Sequence, residues 1–340
     1  MKPTYDLLFI THLPAFYKVN LYNKIAQTKR VFVIFISNAS TIRTADFTQS
    51  DIQFDYCVLN QCPFEKRNQI ISMVALFKKM SSISYQKLIV GGWDLLEFWL
   101  AVLYSKLDKN QLALESSIYE SATSGLRAWI KKGFLSRISL VYPSGEPHQA
   151  LLTALNYHGK VKTTHGVGIF NYQKRNLNQK RFSAQFLYVG RLAPEKNLEL
   201  LISVFEQLPH FSLTLVGQGP LEKSLQKRLP VNVKMLGHIS NHELAHLYAA
   251  HDVLVLPSLR EPWGLVVEEA LYHGLPVIVS DKVGCANDLV LRQQVGTTFD
   301  SNNPLALAHA LLWMSQHYDE CIANVLKLDF VQKEAHQIQQ

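Results

Sequence analysis

The chain has 340 residues, 48% of them hydrophobic, and a formal net charge of +7. That length suits two domains and excludes a single small binding module. No apolar run reaches the ~18 uncharged residues of a membrane-spanning helix, and Tyr5 and Asp6 interrupt the N-terminus before a secretory signal could form. The cysteines lack metal-ligand or redox spacing, so reduced thiols in a cytoplasmic protein explain them. They are Cys57, Cys62, Cys285 and Cys321.

The positive charge lies entirely in the first half of the chain. Residues 1–170 hold 19 Lys and Arg against 11 Asp and Glu, a net charge of +8, whereas residues 171–340 hold 15 against 16, a net charge of −1. Basic surface of this kind suits an anionic membrane face, a phosphate-bearing partner or nucleic acid. Because no recognised nucleic-acid-binding motif accompanies the charge, we do not expect nucleic acid as a partner.

Strands and helices alternate through the first half, which predicts a parallel sheet covered by helices. The segment HLPAFYK after the first strand is predicted to be a loop. A polar segment at 171–183 breaks the periodicity and is predicted to be a linker. The predicted strands are YDLLFIT, VFVIFIS, FDYCVL, KLIVGG and QLALES, and the predicted helices are VNLYNKIAQ and residues 67–79, 95–107 and 126–134.

The alternation resumes after the linker, so the fold class is α/β with two Rossmann-like, doubly wound domains facing a central cleft. We predict domains at 1–170 and 184–312, and a C-terminal helical segment at 313–340 that either packs back on the first domain or frays. Ligands of such sheets bind beyond the carboxyl ends of the strands. The strands are AQFLYVG, FSLTLVG, VKMLG, VLVLP and VIVS, and the helices are NLELLISVFEQL, residues 221–228, NHELAHLYAA and GLVVEEALYHG.

A phosphate site is predicted in the segment PSLREPWGLVVEEALYHGLPVIVSD, residues 257–281. A helix opens at Gly264, which leaves the amides of Gly264, Leu265 and Val266 without partners inside the helix. These N–H groups and the positive end of the helix dipole attract phosphate.

Two glutamates in the same segment are candidate ligand-binding groups. Glu261 precedes the helix and Glu269 lies eight residues later, inside it. The two carboxylates can therefore flank a sugar diphosphate, one meeting sugar hydroxyls and the other a ribose diol. Surface charges on a helix explain the same pattern equally well.

Two cations and several glycines follow other strands of the second half. Arg191 and Lys196 flank a strand-to-helix turn, where they either bind a pyrophosphate or are solvated surface charges. Gly217 and Gly219 follow the next strand and allow either close approach of a ligand or a tight turn.

The segments EPWGLVVEE and YVGRLAPEKNLELLISVF resemble the paired-glutamate motif and the Arg/Lys segment of the retaining glycosyltransferases of family 4, which adopt the GT-B fold. The resemblance covers Tyr5 to about Leu312. It implies transfer of a hexosyl group, with retention of configuration, from a nucleotide diphosphate sugar, UDP-sugar favoured, without cofactor or metal ion. It also implies a saccharide or lipid-linked acceptor in bacterial surface polysaccharide or lipopolysaccharide synthesis.

The resemblance assigns roles to individual residues. Arg191 and Lys196 would hold the donor phosphates, Glu261 the transferred sugar and Glu269 the ribose. The loop after the third strand of the second half would lie near the base. The remaining donor-binding candidates are Trp263, Gly264, Leu265, Val266, Gly217, Gly219, Gly237 and His238, although His238 is equally an ordinary loop histidine.

The first half departs from the family where the acceptor and the reacting carbon would lie. The family's glycine-rich loop after the first strand is replaced by residues 12–18, and Glu115 or Ser116 stands where many relatives carry a histidine. A carboxylate there could orient the acceptor hydroxyl or stabilise positive charge, so we take Glu115 as a catalytic candidate. Capping of a helix is the alternative for both residues. The acceptor-side candidates are His12, Tyr17, Lys18, Gly92 and Ser116.

The segment GLRAWIKKGFLSR has the pattern of a helix that lies on a membrane surface. Trp129, Ile130, Phe134 and Leu135 are its apolar residues, and Lys131 and Lys132 are among its cations. An ordinary amphipathic helix that covers the sheet explains the same pattern. The predicted location is the cytoplasm, and the first of these two interpretations would make the protein peripheral on the inner face of the plasma membrane.

Two other functions are compatible with the sequence. One is a nucleotide-sugar epimerase of the same fold, although the Arg/Lys and Glu/Glu sets follow the transferase pattern. The other is a non-catalytic sugar-nucleotide-binding partner subunit, which the altered loop at residues 12–18 keeps open.

We predict weak, salt-sensitive binding of the protein to anionic vesicles, because lipid headgroups attract a basic helix that also carries apolar residues. Changing Lys131 and Lys132 to Ala should lower the fraction that cosediments with the vesicles, and neutral vesicles provide the control for charge. Unaltered partitioning of this variant would contradict an interfacial helix.

Overall fold

The computed structural model describes residues 2–173, 175, 181–241 and 243–338. The chain divides into two compact units, one of Met1–Asn171 with Val331–Gln340 and one of Tyr172–Phe330. The division falls at the start of the predicted linker, 171–183, of which 174 and 176–180 lie outside the described residues.

The first unit is built on a seven-stranded, fully parallel sheet with the strand order β3-β2-β1-β4-β5-β6-β7. Strands β2 and β3 are added on one side of β1, and β4 to β7 are added on the other side. The strand order therefore reverses between β1 and β4, as in a doubly wound fold. The strands are β1 (Thr4–Thr11), β2 (Val31–Ala39), β3 (Asp55–Pro63), β4 (Ser84–Val90), β5 (Asn110–Leu114), β6 (Leu140–Pro143) and β7 (Lys160–Val161).

Helices cover both faces of this sheet. Successive strand residues point to opposite faces, so each strand contributes buried side chains to both. Leu8 and Ile10 pack into the cluster that includes α2 to α5, whereas Leu7 and Phe9 pack against α1. The helices of this part of the chain are α1 (Phe16–Ala26), α2 (Gln69–Ser82), α3 (Leu96–Tyr104), α4 (Gly125–Leu135) and α5 (Glu146–Ala154).

Helix α1 begins earlier than predicted, at Phe16, so the last three residues of the predicted loop HLPAFYK are helical. The carbonyl oxygen of Ala15 accepts hydrogen bonds from the N–H groups of Lys18 and Val19, both at 2.9 Å. Burial of Phe16 and Lys18 in this first turn stabilises the early start. Lys18 is thereby fixed on the helix directly after β1.

The second unit has a six-stranded, fully parallel sheet with the order β10-β9-β8-β11-β12-β13. The prediction of two Rossmann-like α/β units is therefore confirmed, and in this unit the reversal lies between β8 and β11. The strands are β8 (Gln185–Val189), β9 (Ser212–Val216), β10 (Val233–Met235), β11 (Val253–Leu256), β12 (Val277–Ser280) and β13 (Gly296–Phe299).

The long helix near the C-terminus begins at Pro304, so the predicted boundary between residues 312 and 313 falls inside it. Asn303 caps this helix by accepting the N–H groups of Leu305 and Ala306. Within the described ranges, no helix is long and apolar enough to cross a membrane. The helices from this part of the chain are α6 (Leu198–Glu206), α7 (Glu222–Gln226), α8 (Leu244–Ala250), α9 (Leu265–Tyr272), α10 (Pro304–Val325) and α11 (Phe330–Ile338).

The end of α11 belongs to the first unit. Ile338 packs against the α1 side of the sheet, and Glu334 Oε1 forms an ion pair with Lys24 Nζ at 3.0 Å. Gln337 is buried beside Gly166, where an added Cβ would lie 2.4 Å from its side-chain nitrogen. The described end of α11 thus packs on the unit formed by residues of the first half of the chain.

A buried ion pair ties α3 to the start of α2. The Nε of Arg67 donates to Glu97 Oε1 at 2.9 Å, and the side chains are 6% and 0% exposed. Burial alone would raise the pKa of Glu97, but its hydrogen bond from Arg67 holds it below its ordinary value. The guanidinium also lies 3.9 Å from the centroid of the Phe64 ring.

We predict that Arg67→Met destabilises the protein by about 3–5 kcal/mol, because it leaves the Glu97 carboxylate buried without its cation. Denaturant unfolding of the full chain, followed by circular dichroism, measures the loss. The double change Arg67→Met with Glu97→Leu should be milder, since no unpaired charge remains. Equal losses in the single and the double variant would show that the pair does not act as we describe.

Candidate functional site

Apart from Glu269, which lies inside α9, the predicted donor-binding residues of the second unit lie in the segments that directly follow its strands or at the start of α9. Arg191 follows β8 and Glu261 follows β11, the two strands on either side of the point where the strand order reverses. The loops after such strands separate to opposite faces and leave a crevice, which is where ligands of these sheets bind.

Lys196 and Glu261 form the central contact of this edge. The Nζ of Lys196 donates to Glu261 Oε2, and each side chain is 16% exposed. The hydroxyl of Ser258 donates to the same carboxylate oxygen at 3.3 Å. Asn197 ends the turn that carries Lys196 in the left-handed conformation, with φ 57°, and its side-chain amide donates to the carbonyl of Ser301 at 2.8 Å. The contact joins two residues that are 65 positions apart in the sequence.

Arg191 is paired with a residue that the sequence did not single out. Its guanidinium donates to Glu195 Oε1 at 2.6 Å, and both side chains are about one-third exposed. Burial alone would raise the pKa of Glu195, but hydrogen bonding and the charges of Arg191 and Lys196 hold it below its ordinary value. The carbonyl oxygen of Glu195 also accepts the N–H of Leu259 at 2.8 Å, which ties the β8 loop to the β11 loop.

Helix α9 starts beside these charges. Gly264 is its N-cap with φ 103°, and the first helical hydrogen bond runs from the N–H of Val267 to the carbonyl of Gly264 at 2.9 Å. Leu265 and Val266 are the first residues of the helix and are partly exposed. Their N–H groups precede the intrahelical ladder, as predicted for an anion site.

Trp263 does not fit its predicted role as a donor contact. Its side chain is 2% exposed, and its indole N–H donates to Glu268, which is itself 1% exposed. The pair is buried because Trp263 turns inward as the loop enters α9. The geometry therefore assigns Trp263 a supporting role, with Glu268 as a partner that sequence reasoning missed.

Glu269 lies on the same helix in a different environment from its neighbour Glu268. Its Oε2 accepts a hydrogen bond from the hydroxyl of Tyr248 at 3.0 Å, and the Tyr248 ring stacks on His273 with centroids 5.1 Å apart. Burial raises the pKa of Glu269 to about 7, although the hydrogen bond from Tyr248 opposes the rise. Glu269 is therefore held in one orientation and titrates near neutrality.

The glycines after β8, β9 and β10 let neighbouring loops touch. A Cβ on Gly217, whose φ is 138°, would lie 1.9 Å from the carbonyl oxygen of Gly190, and a Cβ on Gly219 would lie 2.3 Å from that of Leu192. The N–H of Gly217 donates to the carbonyl of Gly237 at 2.8 Å, and the next residue, His238, is exposed. Close loop packing therefore requires Gly217 and Gly219, and approach of a ligand to the glycines of this edge stays a prediction.

In the first unit, Lys18 and Glu115 form an ion pair. The Nζ of Lys18 lies 2.6 Å from Glu115 Oε1 and donates to Thr11 Oγ1 at 3.1 Å. Burial lowers the pKa of Lys18, but Glu115 and the neighbouring tyrosines outweigh burial and raise it above its ordinary value. The pair lines a small pocket together with Tyr22, Tyr142, Ser144 and Thr164.

The helix-cap alternative for Glu115 and Ser116 is wrong. Both lie in the loop after β5, and the next helix starts only at Gly125. The side chain of Glu115 instead makes a tertiary contact with Lys18, and Ser116 is half-buried. Glu115 is thus at the carboxyl end of a strand, where a ligand-binding residue is expected.

Two other acceptor-side candidates, His12 and Gly92, lie beside Asp94, which the sequence did not single out. His12 Nε2 lies 3.0 Å from Asp94 Oδ2, and a Cβ on Gly92 would lie 2.5 Å from Asp94 Oδ1. Burial alone would raise the pKa of Asp94, but the hydrogen bond with His12 holds it below its ordinary value. Tyr17 is half-buried, and burial raises the pKa of its hydroxyl to about 12.

Helix α4 exposes only part of the apolar set predicted for a membrane. Trp129 and Ile130 are 72% and 43% exposed, whereas Phe134 and Leu135 are buried in the core. Those two residues point to the sheet because α4 covers it, so including them was wrong. The Nζ of Lys131 donates to the carbonyl of Ala122 at 3.1 Å, while Lys132 is exposed.

Residues 171–323 match the family model described as Glycosyl transferases group 1. Over 119 residues, 35% of this chain, the sequence is 39% identical to a sulfoquinovosyl transferase of Arabidopsis thaliana, of which 23% is covered. It is 36% identical over 129 residues to a GDP-mannose-dependent alpha-mannosyltransferase of Mycolicibacterium smegmatis, covering 36% of this chain and 34% of the relative. The chain thus spans about a quarter to a third of the length of these curated relatives.

Solved glycosyltransferase structures of the GT-B class share the fold over nearly the whole chain. A sucrose-phosphate synthase from Thermosynechococcus elongatus superposes with a TM-score of 0.73 at 20% identity, covering 98% of this chain and 94% of that one. A lipopolysaccharide outer core galactosyltransferase superposes with a TM-score of 0.71 at 13% identity, covering 97% of each chain. At these identities the likeness establishes the fold alone.

We predict that Glu269 makes the protein less stable as pH rises from 5 to 7.5. Its folded pKa of about 7 lies above the ordinary 4.5, so the folded state holds a proton that the unfolded state has lost, and this advantage disappears on passing pH 7. The measurement is thermal unfolding against pH for the wild type and Glu269→Gln, whose amide cannot titrate.

The stability of the wild type relative to Glu269→Gln should therefore fall across this interval. The burial-lowered pKa of His273, about 4, affects both proteins equally and cancels in the difference. Tyr248→Phe, which removes a hydrogen bond to the carboxylate, should move the fall to higher pH. Parallel pH curves for the wild type and Glu269→Gln would overturn the assignment.

Proposed function

We propose that the protein is a retaining glycosyltransferase with the family 4 paired-glutamate motif. It transfers a hexosyl group from a nucleotide diphosphate sugar, UDP-sugar favoured, to a saccharide or lipid-linked acceptor. The observation that carries the proposal is the Lys196–Glu261 contact at the strand-order reversal of the second unit. This contact lies within residues 171–323, the part of the chain that matches the group 1 glycosyl transferases.

The donor diphosphate is bound by cations and amides. Its negative charge grows as the bond to the sugar breaks, so groups that stabilise this charge lower the barrier. Arg191 and Lys196 supply positive charge, and the N–H groups at the start of α9 supply hydrogen bonds. This set neutralises the leaving group without a metal ion or cofactor.

The two glutamates bind the hydroxyl groups of the donor. Glu261 binds the hydroxyl groups of the transferred sugar, since it lies beside Lys196 and hence beside the donor phosphates. Glu269 accepts hydrogen bonds from the ribose diol, and Tyr248 and the α9 backbone hold it in place for that purpose. Ionised carboxylates are strong acceptors for hydroxyl donors.

The acceptor binds to the first unit. Its ion pair between Lys18 and Glu115 keeps a carboxylate at the carboxyl edge of the sheet, where Glu115 orients the acceptor hydroxyl or stabilises positive charge at the reacting carbon. The excess basic charge of residues 1–170 and the exposed Trp129 on α4 favour an anionic or lipid-linked acceptor at the inner face of the plasma membrane.

The relatives support a role in bacterial surface polysaccharide or lipopolysaccharide synthesis. An O-antigen biosynthesis glycosyltransferase of Escherichia coli is 34% identical over 115 residues, and a structural neighbour is a lipopolysaccharide outer core galactosyltransferase. HepE of Anabaena, another neighbour, was solved with UDP and glucose, which favours UDP as the carrier here.

Two experiments separate this function from the alternatives. Product analysis distinguishes a transferase, which joins the sugar to an acceptor, from an epimerase, which returns an altered nucleotide sugar. Loss of donor hydrolysis and transfer in Glu261→Ala, with donor binding retained, distinguishes an enzyme from a non-catalytic binder.

We predict that one sugar nucleotide selectively raises the melting temperature of the purified full chain in a screen of common donors. Lys196→Ala and Glu269→Ala should each abolish the shift, because they remove a phosphate cation and the ribose acceptor. The control is Lys223→Ala, which removes an exposed lysine of α7 in the same unit and should keep the shift. The absence of a shift with any donor or nucleoside diphosphate would refute the transferase proposal.

A further inference from the structure

Each of the two cations proposed to bind the diphosphate already faces a carboxylate of its own unit. Lys196 contacts Glu261, and Arg191 contacts Glu195 at 2.6 Å. The two cations and two carboxylates cancel in formal charge. A diphosphate that enters this site must therefore compete with resident carboxylates for both cations.

The two carboxylates differ in what else they can do. Glu261 has a proposed partner in the sugar hydroxyls, and its main chain bridges to Val283 at the start of the next loop. Glu195 tethers the loops through its main-chain oxygen, which accepts the N–H of Leu259, so its side chain is not needed for that tether. Its carboxylate faces Arg191, and both side chains are about one-third exposed, within reach of an incoming anion.

We infer that Glu195 is a resident competitor for Arg191 that sets the affinity of the site for nucleoside diphosphates. The inference rests on the proposed donor site. When the diphosphate binds, Arg191 exchanges the Glu195 carboxylate for phosphate oxygens, and when the product leaves, Glu195 returns. The exchange weakens the binding of donor and product alike, since both carry the diphosphate, and it speeds release of the nucleoside diphosphate after transfer.

The alternative is that the Glu195 side chain only supports the fold of its loop. In that case, its removal would loosen the loop and weaken the binding of the diphosphate. Competition predicts the opposite sign, because removal of the carboxylate leaves Arg191 available to the phosphates. The direction of the change in affinity therefore separates the two roles.

Calorimetric titration of UDP, GDP and ADP into the full chain tests the inference. Glu195→Gln keeps the shape of the side chain and removes its charge, and we expect about 2- to 5-fold tighter binding, the range set by the strength of a partly exposed ion pair. In turnover, Glu195→Gln should lower the inhibition constant of the product diphosphate by the same factor.

Two control variants distinguish the contact from a general change of charge. Glu199→Gln removes the same charge from an exposed position four residues later and should leave the affinity nearly unchanged. In an Arg191→Gln background, which weakens binding by itself, the further change Glu195→Gln should have a smaller effect, because the cation that donates to Glu195 is gone and only the interaction of Glu195 with the charge of Lys196 remains.

The outcomes also separate this inference from the proposed function. If the wild type binds UDP, GDP or ADP but Glu195→Gln binds it equally or more weakly, Glu195 is not a competitor and the donor site stands. An equal gain in Glu199→Gln, or an undiminished gain in the Arg191→Gln background, likewise overturns the inference. If the wild type binds none of the three nucleoside diphosphates, both the proposed donor site and the inference are wrong.

Discussion

The contact between Lys196 and Glu261 depends on main-chain hydrogen bonds that fix three loops at one edge of the second sheet. The loop after β8 is tied to the loop after β11 by the N–H of Leu259, which donates to the carbonyl of Glu195. The loop after β11 is in turn tied to the loop after β12, because the N–H of Gly284 donates to the carbonyl of Glu261 at 2.8 Å. Charges that would otherwise lie on separate mobile loops are thus held in register, which reduces the entropy lost when a ligand binds.

The same rigid edge assigns different chemistry to the adjacent glutamates of α9. Glu268 is buried against the indole of Trp263, whereas Glu269 accepts its hydrogen bond from Tyr248 and titrates at about 7. Neighbouring helical residues point about 100° apart, so one faces the core of the unit and the other the Tyr248–His273 stack. One glutamate thereby secures the entry of the helix, and the other is available for ligand binding.

Local patterns predicted the strands other than β6, β7 and β13, most helices and the charged candidates, because hydrophobic alternation and strand-end positions are visible within a few residues. The partners of those candidates were not predictable. Lys196 meets Glu261 across 65 positions, and Lys18 meets Glu115 across almost a hundred, so only the tertiary fold brings them together. The start of α1 and the inward turn of Trp263 depend on burial in the same way. The sequence therefore identified these four charged residues but not which of them pair with each other.

Each unit has a similar lysine–glutamate ion pair near the reversal of its strand order, and in the second unit a more exposed arginine–glutamate pair lies beside it. In each unit a lysine after the first strand meets a glutamate that follows a strand beyond the reversal of strand order. Lys18 is 9% exposed and also donates to Thr11, so breaking its ion pair with Glu115, whose side chain is 33% exposed, would leave a buried ammonium group without its carboxylate. Lys196 lies beside the more open pair of Arg191 and Glu195, whose carboxylate water or an anion can replace at little cost. The first pair is suited to holding a carboxylate in place, and the second site is suited to exchanging one anion for another.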